Sequence, residues 1–418
     1  MNRRKFGILG AGVIVLLVAL MLIFGCAAPS PTPTGPKPDI KVGHIVDLTG
    51  PTAVLGRDTR DATVDFTNYI NDKGGIKGHK IRLITVDCSY DQDKEIIAYR
   101  RLMDVEKVNW FYGHHSTVQF RLRHELIDKG FMAYGSPDIK NLIPPSNTFN
   151  PDATYLDQNL AIMKWAAKTM GTPSRPARIA YYCVEGHHSQ TYIRAMKDSA
   201  PEIGVELVKT YVSPGSKRDF EATILENIKD NIDLVLTHTT ETQLILWVKD
   251  AARLGYKGKQ LHRTLTAGLI PMIGKDLAQG MYGVYTTATF EETEVPGIKL
   301  AWEFQKKYHP EFLDTGRGSW YARYAAIVLL AQQVAEQVIK EKGFENLNGN
   351  NIVKVLESGR EFTAMGLIPP FHFTKEYHGG MPTSIKIGQV KGEKIVTVTD
   401  WIESSPRTSQ QLTLDYYK

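Results

Sequence analysis

The chain has 418 residues, 42% apolar and 23% charged, with 50 Lys+Arg against 45 Asp+Glu. This composition excludes a disordered or collagen-like chain, and the length suits two to three domains with cores of their own. A net charge of +5 without any Lys/Arg-rich run excludes a nucleic-acid or polybasic membrane-surface binder, and three cysteines cannot staple a disulfide-rich scaffold.

Met1-Asn2-Arg3-Arg4-Lys5 is a positive segment, and Phe6 to Gly25 follow without a charge. The run ends Leu22-Ile23-Phe24-Gly25-Cys26, a bacterial lipoprotein cleavage pattern. It predicts a signal peptide over residues 1–25 and lipidation at Cys26. Left uncleaved, the same run is long enough for a plain transmembrane anchor. Either way the remainder is expected tethered outside the cytoplasmic membrane, at the cell surface or in the periplasm. Loss of Arg3, Arg4 and Lys5 lowers the net charge from +5 to +2. Gly10-Ala11-Gly12 has no strand before it, so a dinucleotide-binding reading fails. Residues 26–39 carry Pro29, Pro31, Pro33, Pro36 and Pro38 among Ser and Thr, which forbids a helix and predicts an extended spacer.

From Ile40 the pattern alternates strand and helix. Ile40–Val46 reads as a buried strand and Asp58–Ile70 as a helix with Ala62, Phe66 and Ile70 on one face, stopped by Gly74-Gly75. Strand 81–86, helix 93–105, strand 110–112, helix 119–129 and strand 131–134 follow. After residue 155 the rhythm restarts: strand 178–183, helix 190–199, strand 206–211, helix 220–229, strand 233–237, helix 242–254 and a strand near 260–265. Two α/β units with parallel, doubly wound sheets are expected, with ligands bound beyond the carboxyl ends of the strands.

The segment Ile70-Asn71-Asp72-Lys73-Gly74-Gly75-Ile76-Lys77-Gly78-His79-Lys80-Ile81 resembles the I-N-x-x-G-G-I-x-G-x-x-I motif of the Leu/Ile/Val-binding, type I periplasmic-binding-protein family. Leu48-Thr49-Gly50-Pro51-Thr52-Ala53-Val54-Leu55-Gly56, Tyr112-Gly113-His114, Asn231-Ile232-Asp233-Leu234-Val235, Ala252-Arg253-Leu254-Gly255 and Gln279-Gly280-Met281-Tyr282-Gly283-Val284 match further motifs in order. The resemblance spans residues 40–400 and implies two doubly wound parallel-sheet lobes joined by a three-segment hinge. Lobe one would take 40–154 plus 286–375, lobe two 155–285 plus 376–405, with a tail over 406–418. It also implies a monomeric solute-binding lipoprotein of an ABC importer, closing by rigid-body rotation on a small molecule and recognised by membrane permease subunits, with no cofactor.

Relatives that bind amino acids offer the ligand carboxylate hydroxyls and backbone N–H groups from lobe one, and Ser116 and Thr117 match that place. Their lobe two offers a carboxylate to the ligand ammonium, but Leu261-His262-Arg263-Thr264-Leu265-Thr266-Ala267-Gly268 holds no acid. A buried ammonium without a partner is costly, so unless Glu185 or Glu241 substitutes, an amide or an amine-free aromatic or aliphatic carboxylate fits better than a branched-chain amino acid. Expected contacts are Ser116, Thr117, His188 and Thr239, then Thr49, Tyr134, Ser136, Thr240, Thr266 and Tyr321. Aromatic candidates for the walls are Tyr134, Tyr182, Tyr192, Trp320 and Tyr321, each also a candidate for core packing. His114-His115, His187-His188 and His238 fall at strand ends, where they bind a polar ligand, cap loops or hold a metal or haem; no metal-ligand spacing singles out the last, and no metal is expected. Cys88 matches the family's first disulfide cysteine, but its partner is replaced within His114-His115-Ser116-Thr117, so Cys88 and Cys183 are both expected free. No G-x-S-x-G, P-loop or zinc-protease motif occurs, so no enzyme is expected. A ligand-sensing receptor component of the same fold is the alternative to transport.

Overall fold

The structure, a computed structural model, describes residues 35–113, 115–186, 189–263, 265–314 and 316–404. Cys26 with the expected signal peptide, most of the spacer, His114, His187, His188 and the expected tail lie outside the described residues. The folded unit begins at Asp39. Among the described residues, no helix is long and apolar enough to cross a membrane.

Strands β1 (Ile40–Val46), β2 (Ile81–Asp87), β3 (Trp110–Tyr112), β4 (Ala133–Tyr134) and β5 (Thr148–Phe149) form an all-parallel sheet in the order β2-β1-β3-β4-β5. Its central strands are apolar on both faces because both are covered: Val42, Trp110 and Tyr112 enter one core, Ile45 and Phe111 the other. The second sheet holds β6 (Ala177–Val184), β7 (Val205–Ser213), β8 (Leu234–His238), β9 (Lys259–His262), β10 (Tyr282–Tyr285), β11 (Ser384–Lys391) and β12 (Lys394–Thr397), ordered β12-β11-β10-β9-β8-β6-β7. Along β6 the side chains alternate between two cores, Ile179, Tyr181 and Cys183 to one, Ala180 and Tyr182 to the other. The sequence rhythm suggests parallel pairing throughout. Here β11 and β12 run antiparallel, closing the edge as a hairpin through Gly392, whose φ is +65°.

Helix α1 runs Ala53–Asp72, a turn longer at its start than apolar spacing indicates. It stops where expected, because Gly74 and Gly75 sit at φ +105° and +76°, and a Cβ on Gly75 would lie 2.2 Å from the His79 carbonyl oxygen. At its other end, a Cβ on Gly56 would overlap the Asp47 carbonyl, so glycine lets α1 rest on the end of β1. Between the strands run α2 (Gln92–Arg101), α3 (Ser116–Asp128), α4 (Tyr155–Met170), α5 (Ser189–Ile203), α6 (Glu221–Lys229) and α7 (Glu241–Arg253). After β10 the chain packs on the first sheet, where α8 (Ser319–Lys342) lies along α1 and Phe290 to Phe373 share a core with Ile40, Phe66 and Tyr134. Asn150, which follows β5, pairs with the segment before β11, and the Thr286 hydroxyl donates to Asp152.

Candidate functional site

In each sheet the chain first adds a strand on one side and then crosses to the other, at β1/β3 and at β6/β8. Such switch points leave a crevice at the carboxyl ends of the strands. A cavity of about 160 Å³ lies where these two crevices meet. The first sheet lines it with Thr52, Leu55, Tyr90, His115, Ser116 and Thr117, and the second with Glu185, His238, Thr239 and Thr240; Tyr155 and Trp320 add aromatic surface. Of the expected contacts, the structure therefore brings together Ser116, Thr117, Thr239 and Thr240.

Ser116 and Thr117 open α3, whose N-cap residue His115 makes no side-chain cap, so the helix N-terminus borders the cavity as a place for an anion. Opposite, Thr239 is buried and its hydroxyl has no partner among the described residues. Thr240 is committed locally: it caps α7 in a reciprocal box with Gln243.

The other expected contacts sit elsewhere. Thr49 is exposed and donates to Asp87 at 2.9 Å. Ser136 is fully buried behind the cavity, accepting from Asn141, which also donates to the Ser116 carbonyl. Tyr134 packs in the first core beside Tyr112, and Tyr321 is buried with its hydroxyl donating to Asp65 at 2.6 Å. Thr266 is buried against Gly318. Tyr182 and Tyr192 belong to the cores of the second lobe, whereas Trp320 reaches the cavity. Cys88 and Cys183 are free and buried.

Behind the α3 N-terminus lies a cluster that sequence spacing does not reveal. His115 Nε2 is 3.2 Å from Asp47, and Nδ1 is paired with Glu95. Burial opposes the imidazolium, but the two carboxylates outweigh it and hold the ring up at about 10. Both ring nitrogens thus face carboxylates. Asp47 also accepts from Thr52 at 2.7 Å, from the Tyr90 amide at 2.6 Å and from the Cys88 thiol at 3.0 Å. Burial and the neighbouring acids push that thiol well above its ordinary value, keeping it protonated. Asp47, Cys88 and His115 do offer ligand atoms within 4.8 Å of one another, yet each of those atoms is already engaged in this network.

Glu241, first residue of α7 and next to the cavity-lining Thr240, accepts the Leu55 amide of α1 at 3.0 Å, with the Val54 amide beside it. Burial raises its carboxyl to about 7 against the pull of those amides. This buried acid is therefore spent on the opposite lobe, and Glu185 lies exposed at the rim.

A family model described as periplasmic binding protein matches residues 39–394. Leu/Ile/Val-binding protein homolog 7 of Brucella suis is 26% identical over 375 residues, covering 85% of this chain and 88% of that protein. A branched chain amino acid ABC transporter from Thermus thermophilus with bound valine superposes with a TM-score of 0.78 at 20% identity, over 92% of this chain and 100% of that one. A solute binding protein from R. palustris in complex with benzoate gives 0.73 at 15% identity, over 89% and 98%. Two doubly wound sheets whose switch points face each other across one cavity, under a family match that runs nearly the full length of the folded unit, place the chain in the periplasmic binding protein family.

Proposed function

We propose that this periplasmic binding protein is an extracytoplasmic lipoprotein, anchored through Cys26, that captures a small carboxylate or amide in the cleft and presents it to an ABC permease. The observation that carries the reading is the α3 N-terminus at Ser116 and Thr117 on the same cavity as Thr239, whose buried hydroxyl has no partner among the described residues. Resemblance to proteins holding valine and benzoate supports a ligand of that size. Glu241 is occupied by α1 amides and Glu185 is exposed, so neither of these two acids stands as a buried partner for a ligand ammonium, which favours an amine-free acid or an amide. Calorimetry of the purified chain with valine, isoleucine, benzoate, short aliphatic acids and short amides tests this; binding of free amino acids alone would refute the amine-free reading. The double variant Ser116→Ala/Thr117→Ala is expected to weaken binding by about 1–3 kcal/mol, and unchanged affinity would remove α3 from the site.

In this reading the two lobes close as rigid bodies about the segments near residues 155, 285 and 375, and the Glu241–Leu55 contact, 3.0 Å in this structure, belongs to the closed form. A carboxyl at about 7 in the closed form, against 4.5 when solvated, takes up a proton on closing between those values. Ligand affinity is then expected to fall as pH rises from about 4.5 to 7, and Glu241→Gln should flatten that slope. A slope that persists in Glu241→Gln would assign the effect to another group.

A further inference from the structure

Arg263 stands in the loop after β9, in the stretch where sequence comparison finds no acid. Its side chain is buried, with 5% of the residue exposed, and its hydrogen bonds go to neutral acceptors: Gln158 Oε1 at 2.8 Å, Asn159 Oδ1, and the Tyr155 carbonyl at 3.4 Å. No carboxylate pairs with it among the described residues. Its Nε has no partner there. Those acceptors belong to the first turn of α4, whose own dipole is positive at that end, so the helix adds to the charge rather than balancing it. The nearby acid, Asp152, is committed to Arg323 and Thr286. Burial accordingly lowers the hold of the guanidinium on its proton.

Arg263 borders a void of about 20 Å³ together with Tyr155, Trp320, Asp152 and Arg323. Tyr155 and Trp320 also wall the main cavity, so the void lies against its floor. A space of that size admits roughly one oxygen atom or a small ion. A buried cation with neutral partners, an unused N–H and an adjoining one-atom void is a site lacking an anion.

We propose that Arg263 receives a second anionic group of the ligand, so that the preferred solute is a dicarboxylate: one acid group on the α3 N-terminus, the other placing an oxygen against Arg263. This rests on the cleft being the ligand site and adds the charge class of the solute. A free chloride could satisfy the same cation, and the test separates the two.

Binding of matched pairs is measured by calorimetry on the full chain in chloride-free buffer: pentanoate against glutarate, hexanoate against adipate, benzoate against terephthalate. Wild type is expected to prefer at least one diacid over its monoacid by roughly tenfold to a hundredfold, the range of a charged hydrogen bond. In Arg263→Gln that preference should vanish while monoacid affinity persists. Melting of the unliganded variant gives a second readout: losing an uncompensated buried charge should leave Tm unchanged or raise it, whereas a merely structural arginine would lower it. Monoacids that bind through Ser116 and Thr117 with no diacid advantage would overturn the Arg263 assignment alone. If no acid binds at all, the proposed function fails with it. Wild-type Tm that rises with chloride, without any diacid preference, would give the site to the free ion and overturn the dicarboxylate reading.

Discussion

His115→Ala is expected to cost about 3–5 kcal/mol of unfolding free energy, the range for removing one partner from a buried charge cluster. Asp47 and Glu95 are both fully buried, and the imidazolium is the cation between them. Without it two buried carboxylates face each other across a vacated space and lose the cation that offsets their desolvation. The wild-type chain should also show a distinctive alkaline loss. A histidine raised from 6.5 to about 10 contributes stability that is complete below 6.5 and is withdrawn as pH climbs toward the higher value. Other shifted groups titrate elsewhere: Asp58 and Glu241, pushed up by burial to about 6 and about 7, and His262 and His378, pushed down by burial to about 3 and about 4. Cys183, raised by burial to about 11, adds its own loss only above the ordinary thiol range. Between about pH 7.5 and 8.5, unfolding free energy should therefore fall by close to 1.4 kcal/mol per unit. His115→Gln, which keeps a donor toward one carboxylate, should lack that slope. Urea titrations at several pH values measure both quantities, and a slope shared by wild type and variant would show that His115 is neutral in the fold.

What could be seen of this molecule in its sequence follows from locality. Period-2 and period-3.6 patterns are local, so β1, β3, β6, β8 and the helices between them are legible to within a few residues. The stretch from 286 to 375 is assigned by resemblance alone. Its chief element, α8, has every residue from Tyr321 to Ala331 buried, and a helix covered on all sides shows no apolar stripe to read. Nor does composition tell an edge hairpin from two parallel strands, which is why the reversal of β11 and β12 appears only in the fold.

The site divides the same way. Ser116, Thr117 and Thr239 line the cavity; pattern locates the strand ends and helix starts on which they stand, and the family resemblance singles out Ser116 and Thr117 there. Tyr134, Ser136 and Tyr321 stand close to such ends but turn into the cores, a choice fixed by packing partners far away in the chain such as Tyr112, Asn141 and Asp65. The Asp47–Glu95–His115 cluster draws on the end of β1, the first turn of α2 and the start of α3, and no spacing rule connects them. Glu241 is visible as a possible acid for an ammonium. That its carboxylate is used on the Leu55 amide, 186 residues earlier, depends on how the two lobes meet.

The other large effect is expected at Asp152, where the chain leaves the first sheet for the second. Asp152 accepts from Arg323 Nε at 3.0 Å and from the Thr286 hydroxyl, and both members of the ion pair are almost wholly buried, at 1% and 5% side-chain exposure. Arg323 further donates to the Gly135 carbonyl at 2.9 Å and to Asn150 at 2.5 Å, and its guanidinium lies 4.7 Å from the Trp320 ring. One carboxylate thus ties together two passages between the sheets and the long helix α8. Asp152→Asn keeps the shape but strips the charge partner from a buried guanidinium, and is expected to cost about 3–5 kcal/mol. Arg323→Met alone should cost a similar amount, because it leaves Asp152 as the buried orphan. The double variant removes both charges together, so its loss should fall well short of the sum, with a coupling of about 1–3 kcal/mol. Denaturant titration of the four proteins gives that number directly. Additive losses would mean that the two side chains act through separate neighbours, Asp152 through Thr286 and Arg323 through Gly135 and Asn150, and that the pair itself contributes little to holding the crossing segments.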